Sequence, residues 1–329
     1  MPVNPGDLSH SDHAQSLTQP LAGRLRYEVV DVFAERRYAG NPLAVVYGAD
    51  ALETAQLHAL AMEFNLSETA FPVALTDEDR AAGADYRVRI FTPGGEIPFA
   101  GHPTVGTAWS LRSSGVIEPG ARRQACGAGL IGVQVPADPD ADVELTALPR
   151  DHARRLSRDD TAELAELVGL GVDDVVGDAY AAGCGLSWLY LRVRPDAVGR
   201  SRPGSRQVSE TSVDLSFLQD PFDGIDVYAA EPAGGAGGSV SIRSRVYVPG
   251  FGIPEDPATG SAAAGLGLVL VASGLAAGEG TSAYAIEQGV EMGRPSRLTG
   301  RVEAADGQAT LVHVAGRVIP IASGTISIP

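Results

Sequence analysis

Alternation of apolar and polar positions with a period of two dominates this chain, and helical spacing is confined to a few short stretches. RYEVVDVF (26–33) predicts a first strand, LAVVY (43–47) a second and YRVRIF (86–91) a cleanly alternating third. Later strands are expected at 127–135, 142–148, 225–230 and 239–248, and two short ones within 180–193 around Gly183-Cys184-Gly185. The chain closes with strand-like pieces at 283–288, 297–303, 308–314 and 316–328. Helical spacing appears over 54–64, with Leu57, Leu60, Ala61 and Phe64 on one face, and over 160–170, with Thr161, Leu164 and Leu167. Residues 1–23 are polar and aperiodic and predict a disordered extension, so His10 and His13 read as part of a solvated tail. The basic stretch 195–212 reads as solvated surface, and Gly234–Gly238 as a flexible link.

Two stretches fit neither period and share one design. IPEDPATGSAAAGLGL (253–268) runs from an acidic, Pro-containing loop into a run of small residues that suits a closely packed helix, with Ser261 as its expected N-cap. FTPGGEIPFAGHPTVGTAWSLRSSG (91–115) carries the same plan, with its helix expected over 105–112. Pro93-Gly94 answers Pro249-Gly250, Ile97-Pro98 answers Ile253-Pro254, and Ser113-Ser114-Gly115 answers Ala272-Ser273-Gly274. A duplicated α+β fold is expected, with one such helix per half. The Pro- and Asp-rich loop 136–142 marks the boundary, giving domains at 24–138 and 139–317, with the last strand, 318–329, open to returning to the first. A helix start leaves backbone N–H groups unpaired, which suits an anion. The two starts are expected to face each other across one cleft.

Composition narrows the function classes. At 329 residues and 44% apolar content the chain can bury two cores of ordinary size. A formal net charge of −16 argues against nucleic acid or an anionic membrane as partner, yet leaves a small anionic substrate possible because distant charge is screened. No apolar run reaches the roughly 20 residues that span a bilayer, and no signal-like pattern opens the chain, so a cytoplasmic protein is expected. Cys126 and Cys184 make neither a metal spacing nor a disulfide framework. No His, Cys and carboxylate cluster has ligand spacing, and PGFGIPEDPATGS is Gly-poor beside a phosphate loop and lacks its lysine. No metal and no cofactor are expected.

The candidate chemistry is acid–base. Glu68 sits at the start of an expected strand beside Ala70, Phe71 and Val73, and the pattern leaves it either solvated or turned inward. Turned inward, a carboxylate is tuned toward proton transfer near neutral pH. His102, between Gly101 and Pro103 at a helix start, is expected to face a ligand. Asn41, between Gly40 and Pro42, reads as a turn residue or a ligand.

GNPLAVV (40–46), NLSETAF (65–71), FTPGGEIPFAGHPT (91–104), EDPATGSAAAG (255–265) and QGVEMGRPS (288–296) closely resemble the phenazine-biosynthesis isomerases, the PhzF-like family, in order and spacing from about Tyr27 onward. The resemblance implies the diaminopimelate epimerase-like fold, in which two pseudo-symmetric domains each wrap strands around a central helix. It places the family's catalytic glutamate on Glu68 and its substrate contacts on Gly101, His102, Asp256, Gly260 and Ser261, with His102 and Asp256 assisting the proton transfers and Asn41 and Ser67 completing the set. It further implies a cofactor-free isomerase in phenazine-like or other secondary metabolism, and a homodimer. The amino-acid epimerases of this fold carry two cysteines, one before each helix. Here those places hold Ala100 and Thr259, which excludes a two-thiol mechanism. A hydrolase or lyase using the same set, and a non-catalytic binding protein, remain as alternatives.

Overall fold

The computed structural model describes residues 23–204, 206, 208–218, 224–231, 239–248 and 253–329. The expected extension up to residue 22, with His10 and His13, the link 234–238 and Pro249-Gly250 lie outside the described residues. Two compact units make up the chain. The first comprises residues 23–32, Pro42–Leu145 and Arg317–Pro329, and the second Phe33–Asn41 and Thr146–Gly316. Six α-helices occur among the described residues: α1 (Thr54–Phe64), α2 (Asp77–Ala82), α3 (Gly101–Ser113), α4 (Arg158–Leu167), α5 (Pro195–Val198) and α6 (Gly260–Ala272). None is long and apolar enough to cross a membrane.

In the first unit, strand Arg24–Val32 runs antiparallel to the last strand, Val318–Ser327, from the Arg24–Ser327 pair to the Val32–Val318 pair. Strand Glu68–Val73 lies parallel to Asn41–Tyr47 and antiparallel to Tyr86–Thr92. The expected strand 127–135 begins at Gly129 instead. A tight turn at residues 127–128 pairs Cys126 with Gly129 and adds an unforeseen strand, Gly120–Cys126. Helix α3 is buried from Gly101 to Leu111 and packs against Arg24–Val32, Glu68–Val73, Gly129–Val135 and Val318–Ser327. It begins four residues before the expected start, because Pro103 needs no amide partner within the first turn. Helix α1 covers a second, smaller core, where Leu57, Leu60 and Ala61 meet Leu25, Val46, Phe71 and Phe91.

The second unit repeats the plan. Helix α6 is buried from Gly260 to Val271 and packs against strands Asp151–Arg155, Tyr180–Cys184, Leu186–Arg192, Ser296–Ala305 and Gln308–Gly316. Helix α4 starts at Ser157, whose hydroxyl accepts the Asp160 amide, and ends three residues earlier than expected, before Gly169 at φ +72°. Its Leu164, Ala165 and Leu167 pack on Leu189, Leu191, Ile225 and Val227. The stretch 195–212 is not wholly surface. Ala197, Val198 and Val208 are buried in that same core, their burial masked in the sequence by flanking arginines. Residues 253–256, expected as loop, form a short strand on Val240–Val248.

Small residues on both central helices are a packing requirement. A Cβ on Gly106 would lie 2.6 Å from Leu43 and 2.7 Å from Val32, and one on Gly265 would lie 2.1 Å from the Tyr190 hydroxyl. That hydroxyl donates to the Ala262 carbonyl at 2.9 Å, so it cannot retreat without losing a buried hydrogen bond. Gly265→Ala is therefore expected to lower unfolding stability by about 1–3 kcal/mol, read as a shift in denaturant midpoint, although alanine is the better helix former. A midpoint that rises would show that the helix and its strands are packed less tightly than described.

Candidate active site

Each unit gathers its own share of the expected residues around the start of its central helix. In the first unit, helix α1 closes with Asn65 in the left-handed conformation at φ 50°, and this reverses the chain into half-buried Ser67 and then Glu68. Glu68 is the first residue of its strand, paired in register with Leu43. Its side chain is turned inward, 14% exposed, with Oε2 3.4 Å from Nε2 of His102, whose ring is 3% exposed. The strand start aims the carboxylate at the first turn of α3, where Ala100 is the N-cap and Gly101 and His102 the first two helical residues. Residue 103 is proline and has no amide to donate, and the Thr104 amide bonds the Ala100 carbonyl, so the Gly101 and His102 amides are the other two donors of this first turn.

Burial pushes the His102 imidazole down to about 3, so near neutral pH the ring is uncharged. The Glu68–His102 approach is then a contact between a carboxyl group and a neutral imidazole.

In the second unit, Asp256 ends the strand Ile253–Asp256 and is 7% exposed. Both carboxylate oxygens are engaged. Asn41 Nδ2 donates to Oδ1 at 2.9 Å, and Thr259 Oγ1 donates to Oδ2 at 2.6 Å. Burial pushes Asp256 up to about 6, aided by the charge of Glu255 and opposed by those two hydrogen bonds. Asn41, fully buried, also donates to the Ala258 carbonyl at 3.0 Å, so its amide group holds the Asp256 loop. Ser261 is not the N-cap of α6. That position is Thr259, whose hydroxyl is directed to Asp256 rather than to a helix amide. Ser261 lies in the first turn behind Gly260, and its hydroxyl accepts from Trp188 Nε1 at 3.2 Å.

Thus Ser67, Glu68, Gly101 and His102 are assembled in the first unit, and Asn41, Asp256, Gly260 and Ser261 in the second. Sequence reasoning missed three side chains of the second group: Thr259 and Gln288, which bond each other, and Trp188. Gln288 opens a motif that was already visible, whereas nothing in the local pattern marks Trp188. Among the described residues no cluster of His, Cys, Asp and Glu could hold a metal ion.

Neither cysteine stands at a helix start. Both are buried, and burial raises both thiols, Cys184 to about 12. Such thiols do not ionise near neutral pH. The double variant Cys126→Ala/Cys184→Ala is expected to retain turnover within about threefold of the parent; a folded double variant without turnover would restore thiol chemistry.

Comparison with known proteins gives the family and the fold. The chain matches the family described as phenazine biosynthesis-like protein over residues 30–324. It is 33% identical over 314 residues to a trans-2,3-dihydro-3-hydroxyanthranilate isomerase of Pseudomonas fluorescens, covering 91% of this chain and 98% of that one. It is 33% identical over 321 residues to an uncharacterized isomerase of Mesorhizobium japonicum, covering 92% and 98%. Among solved structures, a PhzF-family phenazine biosynthesis protein of Bacillus anthracis has a TM-score of 0.75 at 24% identity, covering 93% and 99%. A hydroxyproline epimerase of Agrobacterium vitis, at 14% identity and a TM-score of 0.59 over 94% of each chain, shares the fold. The architecture is the α+β, diaminopimelate epimerase-like one expected from the motifs.

Proposed function

Since the chain belongs to the phenazine biosynthesis-like family, we propose that it is an isomerase moving a proton between carbons of a small conjugated carboxylic acid, with Glu68 as the single shuttle. The observation that carries this reading is the inward Glu68 carboxyl group held 3.4 Å from a neutral His102 in the first turn of α3. Ionised Glu68 takes a proton from an sp³ carbon made acidic by conjugation. The electron pair delocalises toward the carboxylate or carbonyl end, and the same carboxyl group returns the proton to a distant carbon on the same face. No atom is gained or lost. The amides of Gly101 and His102, and of Gly260 and Ser261, are placed at helix N-termini where they favour substrate anion and developing negative charge. Asp256, fixed by Asn41 and Thr259 and poised near the pH of the reaction, would bind a substrate hydroxyl or amino group and assist proton movement. Ser67, beside Glu68, completes the substrate contacts.

No cofactor takes part in this scheme. The names of the relatives make trans-2,3-dihydro-3-hydroxyanthranilate the first substrate to try and phenazine-like secondary metabolism the first context. A homodimer and a cytoplasmic location are part of the same proposal. Incubation with that acid in D₂O is expected to give a product of unchanged composition carrying deuterium at carbon. A product heavier or lighter by water or ammonia would identify a hydrolase or lyase instead, and absence of turnover would remove this substrate.

A further inference from the structure

The segment QGVEMGRPS (288–296) contributes nothing to the acid–base set, yet both of its ends reach the Asp256 group. Gln288 closes the strand Gly280–Gln288 and is 2% exposed. Its Oε1 accepts the Thr259 amide at 3.2 Å, and its Nε2 donates to the Asp256 carbonyl at 2.8 Å and to Thr259 Oγ1 at 3.0 Å. The two backbone partners set the orientation of the side-chain amide, because an N–H can only donate and a carbonyl can only accept. With an N–H aimed at Thr259 Oγ1, the hydroxyl proton is left to point at Asp256 Oδ2, 2.6 Å away.

At the other end, Arg294 donates to the Gly40 and Ala39 carbonyls at 2.7 and 2.9 Å, and the Gly40 amide bonds the Pro295 carbonyl at 3.2 Å. This tethers the backbone that delivers Asn41 to Asp256 Oδ1. Between the two ends, Gly289 sits at φ +73°, where a Cβ would meet the Arg294 and Pro257 carbonyls at 2.5 and 2.6 Å. The turn approaches the Asp256 loop too closely for any side chain.

We infer that Gln288 is a positioning residue for Asp256, acting through Thr259: it orients the hydroxyl proton onto one carboxylate oxygen and ties that loop to the start of α6. Thr259 is the N-cap of α6, yet its hydroxyl is spent on the neighbouring carboxylate rather than on a helix amide. The inference rests on the reading of Asp256 as a working group. Among the described residues, the charged neighbour that acts on Asp256 is Glu255, which Arg245 holds in a two-pronged ion pair at 2.9 and 2.7 Å.

The test is a carbon-13 carboxyl titration of aspartate-labelled protein, with the Asp256 resonance identified by its loss in Asp256→Asn. The parent midpoint is expected at about 6. Thr259→Val removes a hydrogen bond that favours the charged form, and Gln288→Met releases the hydroxyl that makes it; each is expected to raise the midpoint by at least about half a pH unit. The double variant is expected to move no further than the larger single change, since both act along one path. Where Gln288→Met does not fold, Gln288→Asn, one methylene shorter, is expected to give the same upward shift. An unmoved midpoint in the Gln288 variant, or single shifts that simply add in the double, overturns the inference. The titration needs no substrate. A midpoint that moves while the pH profile of deuterium exchange stays put upholds the Gln288 role and removes Asp256 from the reaction.

Discussion

Replacing Glu68 with glutamine is expected to abolish deuterium exchange into substrate while leaving binding of a substrate analogue nearly unchanged. Glutamine keeps the size of the side chain and one oxygen facing His102, so the start of the strand and the first turn of α3 keep their packing. What it lacks is a basic oxygen. Removal of a general base costs about 10²–10⁴-fold in rate, and a residue that both takes and returns the proton belongs at the upper end. Affinity is expected to change by less than about threefold, because the anion is assigned to backbone amides at Gly101, His102, Gly260 and Ser261 rather than to Glu68. Glu63→Gln, a substitution on α1 outside the set, is the matched control and should exchange at the parent rate. Exchange at the parent rate in Glu68→Gln would remove it as the shuttle and make Asp256 the next residue to replace.

The second large effect is on stability, and its sign differs between two buried groups. Asp226, 1% exposed on strand Gly224–Glu231, accepts a 2.5 Å hydrogen bond from Ser244, yet burial pushes its carboxyl up to about 7. A raised carboxyl stabilises the fold fully below the unfolded value near 4, and that contribution is lost as pH rises toward 7. At roughly 1.4 kcal/mol per pH unit of separation, the loss amounts to about 4 kcal/mol. Asp226→Asn removes this dependence, so its stability relative to the parent is expected to rise between pH 4 and 7.

His102 behaves oppositely. Its value is depressed from 6.5 to about 3, so its contribution is complete above pH 6.5 and is lost as pH falls toward 3, again by about 4–5 kcal/mol. His102→Asn is therefore expected to gain on the parent as the solution is acidified through that window. Denaturant unfolding of the parent and both variants from pH 4 to 8 reads the two slopes. Parallel curves for parent and variant would show that the group titrates as it does in the unfolded chain.

Period and punctuation carried most of the element assignments. The alternation in Tyr86–Thr92 and the helical face of Leu57, Leu60 and Ala61 reflect burial on one side only, which local sequence records directly. The two central helices were legible for a different reason: they are buried all round, and only a run of small residues lets strands close on every side. Their starts were less legible. Proline at 103 reads as a break when it is a tolerated first-turn residue, and Ser261 reads as a cap because its hydroxyl partner, Trp188, lies 73 residues away. The burial of Ala197 and Val208 was hidden by the arginines around them.

The acid–base residue types, the duplicated helix starts and the absence of a thiol before either helix were determined by the sequence alone, because each is a matter of residue identity at a marked position. Tertiary structure decided what those residues can do. It turned Glu68 inward onto His102 rather than outward to water, set Asn41 against a carboxylate 215 positions away, and directed the Thr259 hydroxyl to Asp256 under the hold of Gln288. The protonation of His102 and Asp256 follows from burial and hydrogen-bond partners brought from distant parts of the chain, and these have no local signature for spacing or periodicity to record.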